Sequence, residues 1–157
     1  MAGKILISKC LLGISCRYDG TSSLDKTLLK LLKDYKLIAV CPEELGGLRK
    51  FCGPFEIKGK TVDLFSGRAK VMSREGKDVT GYFIKGAKIV LKIAQEKMID
   101  FAILKSRSPS CGSQFIYDGS FKRRLVKGKG VTSFLLENFG IKVLNENEFK
   151  RIKKSDK

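Results

Sequence analysis

Histidine and tryptophan are absent from the 157-residue chain. Without histidine there is no Ser-His-Asp triad, no Cys-His dyad and no His-ligated zinc. Acid–base work falls to Asp, Glu, Lys, Tyr, Cys or water. Long apolar runs are also missing, and nothing approaches the roughly 20 residues of a membrane span. The apolar stretch at residues 5–7 gives way at once to Ser8, Lys9 and Cys10, too soon for the core of an export signal. The chain therefore reads as soluble and cytoplasmic, with no membrane partner. No Cys-x-x-Cys pair occurs, which argues against thiol redox chemistry. Acidic residues are few: 16 Asp and Glu stand against 32 Lys and Arg, a net charge of +16.

That surplus favours anionic partners, nucleic acid among them. The basic residues are scattered, however, and dense only in Phe121-Lys-Arg-Arg124 and Lys150-Arg-Ile-Lys-Lys154. No RNA-recognition, zinc-finger or helix-turn-helix signature accompanies them. A basic nucleic-acid-binding module without enzyme activity remains a rival reading. Hydrophobic residues at 43% and charged residues at 31% describe a globular chain of one-domain length.

Hydrophobic patterning predicts buried strands at Lys4–Ser8, 37–40, 101–104 and 141–144. Leu24, Leu28, Leu31, Leu32 and Tyr35 form a helical stripe after a cap at Ser22 or Ser23. A long amphipathic helix follows a cap at Thr80, and another runs from Thr132 to a stop at Gly140. Residues 56–72 read as a hairpin or an irregular insertion. Strands alternating with helices imply a single three-layer α/β domain over residues 1–157, with a small, mostly parallel sheet of about four or five strands flanked by helices.

The cysteines fall at informative places. Cys10 lies just past the first strand, Cys41 directly past the second, and Cys111 in the loop past the third. The carboxyl ends of strands in an open parallel sheet form its ligand crevice. Three cysteines far apart in sequence are thus expected to meet there, although each alone is as readily a small buried hydrophobe. Cys16 and Cys52 read as incidental. Glu43, two residues after Cys41, is a general base or acid, or simply a first-turn helix acid. The stretch Ser106-Arg-Ser-Pro-Ser110 before Cys111 offers hydroxyls and amides to a sulfide, an anion or a polar heterocycle. A zinc site with three thiolates stays open at this point.

Several of these segments carry a resemblance: Cys10-Leu-Leu-Gly13 with Cys16-Arg-Tyr-Asp-Gly20, Cys41-Pro-Glu43 with Gly46-Gly47, and Leu104-Lys-Ser-Arg-Ser-Pro-Ser-Cys-Gly112. Tyr117-Asp-Gly119 and Gly130-Val-Thr132 extend it. Together, and in this order, they resemble the thiouracil desulfidase family over nearly the whole chain. The resemblance implies non-redox desulfuration of a thiolated pyrimidine by a 4Fe-4S cluster held by three cysteines, Cys10, Cys41 and Cys111. One iron would be left open for the substrate sulfur. It makes Glu43 and Ser108 the catalytic candidates and Tyr18 and Ser110 the substrate-binding candidates. The substrate is a small thiolated pyrimidine, with thiolated tRNA nucleosides as the alternative. After Gly46-Gly47 the family usually runs Leu-Pro-Thr-Pro-Arg; here the run is Leu48-Arg-Lys-Phe-Cys-Gly-Pro54.

Overall fold

The computed structural model describes residues 3–14, 23–48 and 53–155. Strand β1 (Lys4–Ser8) lies at the centre of the sheet, and its side chains alternate between two buried faces. Four parallel strands pair in the order β2 (Lys36–Val40), β1, β5 (Phe101–Ile103), β8 (Val143–Leu144). On one face Ile5, Ile7, Ile103 and Leu144 meet Leu28 and Leu32 of the α1 (Lys26–Leu31) region and Phe149 of α5 (Glu146–Ser155). On the other, Leu6, Ala102 and Val143 meet Val90 and Ala94 of α3 (Thr80–Lys97) and Leu136 of α4 (Val131–Asn138). The protein is the expected α/β domain: helices, a small parallel sheet, helices.

Two antiparallel hairpins form an annex beside this core. The first pairs β3 (Phe55–Lys58) with β4 (Lys70–Ser73); the second pairs β6 (Phe115–Tyr117) with β7 (Leu125–Lys127). Phe55, Ile57, Val71 and Ile116 from the annex pack on Phe83 of α3. Residues 56–72 thus resolve as a hairpin around a single 3-10 turn at Thr61–Leu64. The short strand β7 escapes sequence patterning because all three of its residues are exposed.

Helix boundaries differ from the patterning at two caps. Asp25 caps α1, its carboxylate accepting from the Leu28 amide at 2.9 Å. Thr80 is the first residue of α3 and not its cap: its amide and hydroxyl both donate to Asp78, and its Oγ1 accepts from the Val71 amide at 2.9 Å. Thr80 thereby ties α3 to β4. Helix α2 (Pro42–Leu45) arises inside a segment read as loop, because Pro42 sits in its first turn with Glu43 and Glu44.

Candidate active site

The carboxyl ends of β1, β2 and β5 open into a cavity of about 410 Å³. Cys10, Cys41 and Cys111 all line it, and each is at least nine-tenths buried. Cys10 sits in the 3-10 turn that continues β1, and Gly13 ends that turn with φ +88°. Cys41 is the residue before α2, and its carbonyl accepts the Leu45 amide at 3.0 Å. Cys10 and Cys41 need only that β1 and β2 stop at the same level, which their parallel register provides.

Cys111 is held by its loop. Ser108 Oγ accepts from the amides of Ser110 and Cys111, both at 3.1 Å. The loop's outward carbonyls are taken up by the start of α4: Val131 N donates to Pro109 O at 2.9 Å and Thr132 N to Ser110 O at 2.8 Å. Ser133 Oγ donates to Cys111 O at 2.6 Å. This docking requires glycine at position 130, where a Cβ would come within 2.5 Å of the Ser110 carbonyl carbon. The amino end of α4 is therefore filled by protein carbonyls.

Around the sulfur, Ser8 Oγ donates to Cys111 Sγ at 3.7 Å and accepts the Lys105 amide at 2.9 Å. Burial pushes the Cys111 thiol up to about 12, the neighbouring Cys41 and Glu43 add to the rise, and the hydroxyls of Ser110 and Ser8 oppose it. Cys41 and Glu43 thus lie within electrostatic reach of Cys111. A cation bound among these sulfurs would favour their thiolate form.

Glu43 enters the cavity from the first turn of α2. Ser110 Oγ donates to Glu43 Oε1 at 3.4 Å and lies 3.1 Å from Ser108 Oγ. Since Ser108 Oγ already accepts two amides, its own proton is the one available to Ser110. The hydroxyls therefore run Ser108 to Ser110 to Glu43, a proton path that ends on a carboxylate. The structure brings together Cys10, Cys41, Cys111, Glu43, Ser108 and Ser110 around one cavity. Tyr18, Cys16 and Cys52 lie outside the described residues.

Sequence reasoning missed the opposite wall. Glu56, Arg74, Phe121 and Arg123 line the same cavity from the annex. The hints were Tyr117-Asp-Gly119, whose tyrosine also lines it, and the basic run Phe121-Lys-Arg-Arg124, which reads only as charge. Among the described residues, no three Cys, Asp or Glu side chains are grouped to hold a single metal ion. Three buried sulfurs without imidazole are the donor set that iron–sulfur chemistry uses.

A parallel sheet whose carboxyl edge opens into a cavity lined by thiols and a carboxylate is the frame of an α/β enzyme. The model of the 2-thiouracil desulfurase family matches residues 5–148, and the chain belongs to that family of enzymes. A curated relative, the uncharacterized protein YbbK of Bacillus subtilis (strain 168), is 43% identical over 149 residues, covering 94% of this chain and 99% of the relative. Among solved structures, the 4Fe-4S-dependent thiouracil desulfidase TudS superposes with a TM-score of 0.81 at 36% identity, covering 98% of this chain and 97% of that one. Among the described residues, no helix is long and apolar enough to cross a membrane.

Proposed function

We propose that the whole chain acts as one cytoplasmic domain that converts a thiolated pyrimidine such as thiouracil to uracil and sulfide, using a 4Fe-4S cluster held by Cys10, Cys41 and Cys111. The observation that carries this reading is the convergence of three buried cysteines, from three separate strand ends, on the cavity that also receives Glu43. Its support from outside is the family match and the 4Fe-4S dependence of the TudS relative. When bound, the cluster supplies a soft Lewis acid at the iron that no cysteine ligates, which polarises a C=S bond toward water.

The remaining work belongs to the chain. Glu43 Oε1 accepts the proton of the attacking water, and Ser110 and Ser108 hold that carboxylate's orientation through their hydroxyl chain. The carbon–oxygen bond forms as the carbon–sulfur bond breaks. Sulfur departs as sulfide carrying the protons of water, so no net electron is consumed. Pro42, Val40 and Phe55 add apolar surface that limits bulk water in the cavity.

Iron and acid-labile sulfide content after anaerobic reconstitution, followed by a thiouracil assay, tests the reading. About four irons and four sulfides per chain, with uracil and sulfide formed in equal amounts, is the expected result. Protein that takes up no iron, or a full cluster that leaves thiouracil unchanged, would overturn it. The net charge of +16 and the arginines of the cavity favour one second reading, the same chemistry on thiolated tRNA. Rates on tRNA that fall steeply with salt, beside negligible rates on the free base, would select it.

A further inference from the structure

Among the described residues, Glu56 is the one carboxylate of the cavity that the function above leaves without a task. It lies on β3, is 7% exposed, and lines the same cavity as the thiols from the annex. Its Oε1 accepts two backbone amides from a segment more than sixty residues away: Gly119 N at 2.9 Å and Phe121 N at 3.1 Å. Both amides belong to the turn that joins β6 to β7. That turn is closed on itself by Asp118 N donating to Arg124 O at 2.9 Å. It also presses on β3 at Gly119, whose φ is +94° and whose Cβ, if present, would meet Ile57 O at 2.7 Å.

Two residues of this turn line the cavity, and both are in the left-handed region: Phe121 at φ +59° and Arg123 at φ +58°. Side-chain-bearing residues stay in that region only when their surroundings hold them there. The guanidinium of Arg74 lies 5.7 Å from the Phe121 ring centre. The far wall thus offers an aromatic surface and two forks of N–H donors. Those groups match a flat ring that carries carbonyl or thiocarbonyl acceptors. Among the described residues, those of the thiol wall offer no aromatic surface to the cavity.

We propose that Glu56 is a positioning residue for the desulfuration, latching the turn at residues 118–124 over the cavity so that Phe121 and Arg123 select a planar thiocarbonyl ring. The inference rests on the function proposed above for the identity of the ring. It does not rest on it for the latch, which is a property of the chain alone. The latch acts by geometry: with the acceptor gone, two amides lose their partner and the left-handed pair relaxes.

The turn contains Lys122, Arg123 and Arg124, so trypsin reports its opening without cluster or substrate. Glu56→Ala is expected to speed cleavage there about tenfold and to raise KM about tenfold while kcat stays within about threefold. Glu56→Gln keeps a carbonyl acceptor and should remain near the wild type in both. Phe121→Ala should raise KM similarly with Glu56 left in place. If Glu56→Ala does not fold, hydrogen exchange at the Gly119 and Phe121 amides of the unaltered chain decides the latch, slow exchange supporting it and free exchange overturning it. An unchanged cleavage rate in a folded Glu56→Ala overturns the latch. Faster cleavage with unchanged KM overturns the positioning role. A wild-type protein with a full cluster and no desulfuration would instead defeat the function, and the cleavage and exchange results would still stand by themselves.

Discussion

The two walls of the cavity are built differently. The thiol wall rises from the ends of parallel strands; the register of β1 and β2 sets Cys10 and Cys41, and a loop docked on the start of α4 sets Cys111. The far wall hangs from two small antiparallel hairpins, and its residues are held by side-chain-to-backbone bonds such as those of Glu56. The first arrangement suits a rigid ligand set, since its donors are tied to the central sheet and to the start of α4. The second is shallower in the fold and suits the recognition of variable substrates, as loops on a scaffold generally do. A cavity assembled this way can keep its chemistry while its substrate preference drifts.

The sharpest way to break the comparison is to strip one wall at a time. Cys41→Ser on the thiol wall is expected to abolish iron retention and activity together. Arg74→Ala on the far wall should keep the full iron content and change only substrate affinity. Iron analysis beside KM for both variants checks this, and loss of iron in Arg74→Ala would show that the walls are not independent. Next in size is Glu43→Gln, which keeps the shape of the side chain and removes the base. It should lower kcat by about 10²–10⁴-fold with iron content unchanged, read by steady-state kinetics on reconstituted protein.

Gly130→Ala sharpens the comparison from behind the thiol wall. The added methyl collides with the Ser110 carbonyl, and the cost should be about 1–3 kcal/mol, read as a lower Tm and a lower iron content in the same sample. Glu146 gives a pH test. Its carboxylate lies beneath the same loop and accepts Lys105 Nζ at 2.8 Å and the Ser106 amide at 2.8 Å. Burial pushes this carboxyl up, but Lys105 and the Ser106 amide outweigh it and hold it below its ordinary value of 4.5. A depressed carboxyl stabilises the fold above its ordinary value, and that contribution is lost as pH falls through the folded value. Glu146→Gln should therefore lower Tm by about 3–6 °C at pH 7, and the gap to wild type should shrink below pH 4.5. Melting curves at several pH values decide it. The smallest effect belongs to Glu96→Ala on the solvent face of α3. Its ion pair with Lys92 is 3.9 Å long and well exposed, so stability should change by less than about 0.5 kcal/mol.

Much of the thiol wall was legible in the sequence because its information is local. Buried strands read as short apolar runs; Cys10 and Cys41 follow theirs within two residues, and Cys111 lies in the loop after the third. Ser108 and Ser110 were visible for the same reason, being close neighbours of Cys111. Ser8 was not: it reads as the end of a strand, and only packing reveals that its hydroxyl joins Cys111 to Lys105. Helix α2 was hidden by the glycines and proline around it. Strand β7 was hidden because none of its side chains is buried, so no periodicity marks it.

What the sequence determined by itself is the parallel α/β core and the placement of Cys10, Cys41 and Glu43 just past strand ends, since alternation and strand length are encoded within a few residues of each site; Cys111 reaches the cavity through a loop docked on α4. What only the tertiary structure decided is the far wall. Glu56 meets Gly119 across 63 residues of chain, and Arg74 meets Phe121 from the other hairpin. Neither meeting leaves a local pattern, because each depends on how two separate hairpins pack against Phe83 of α3.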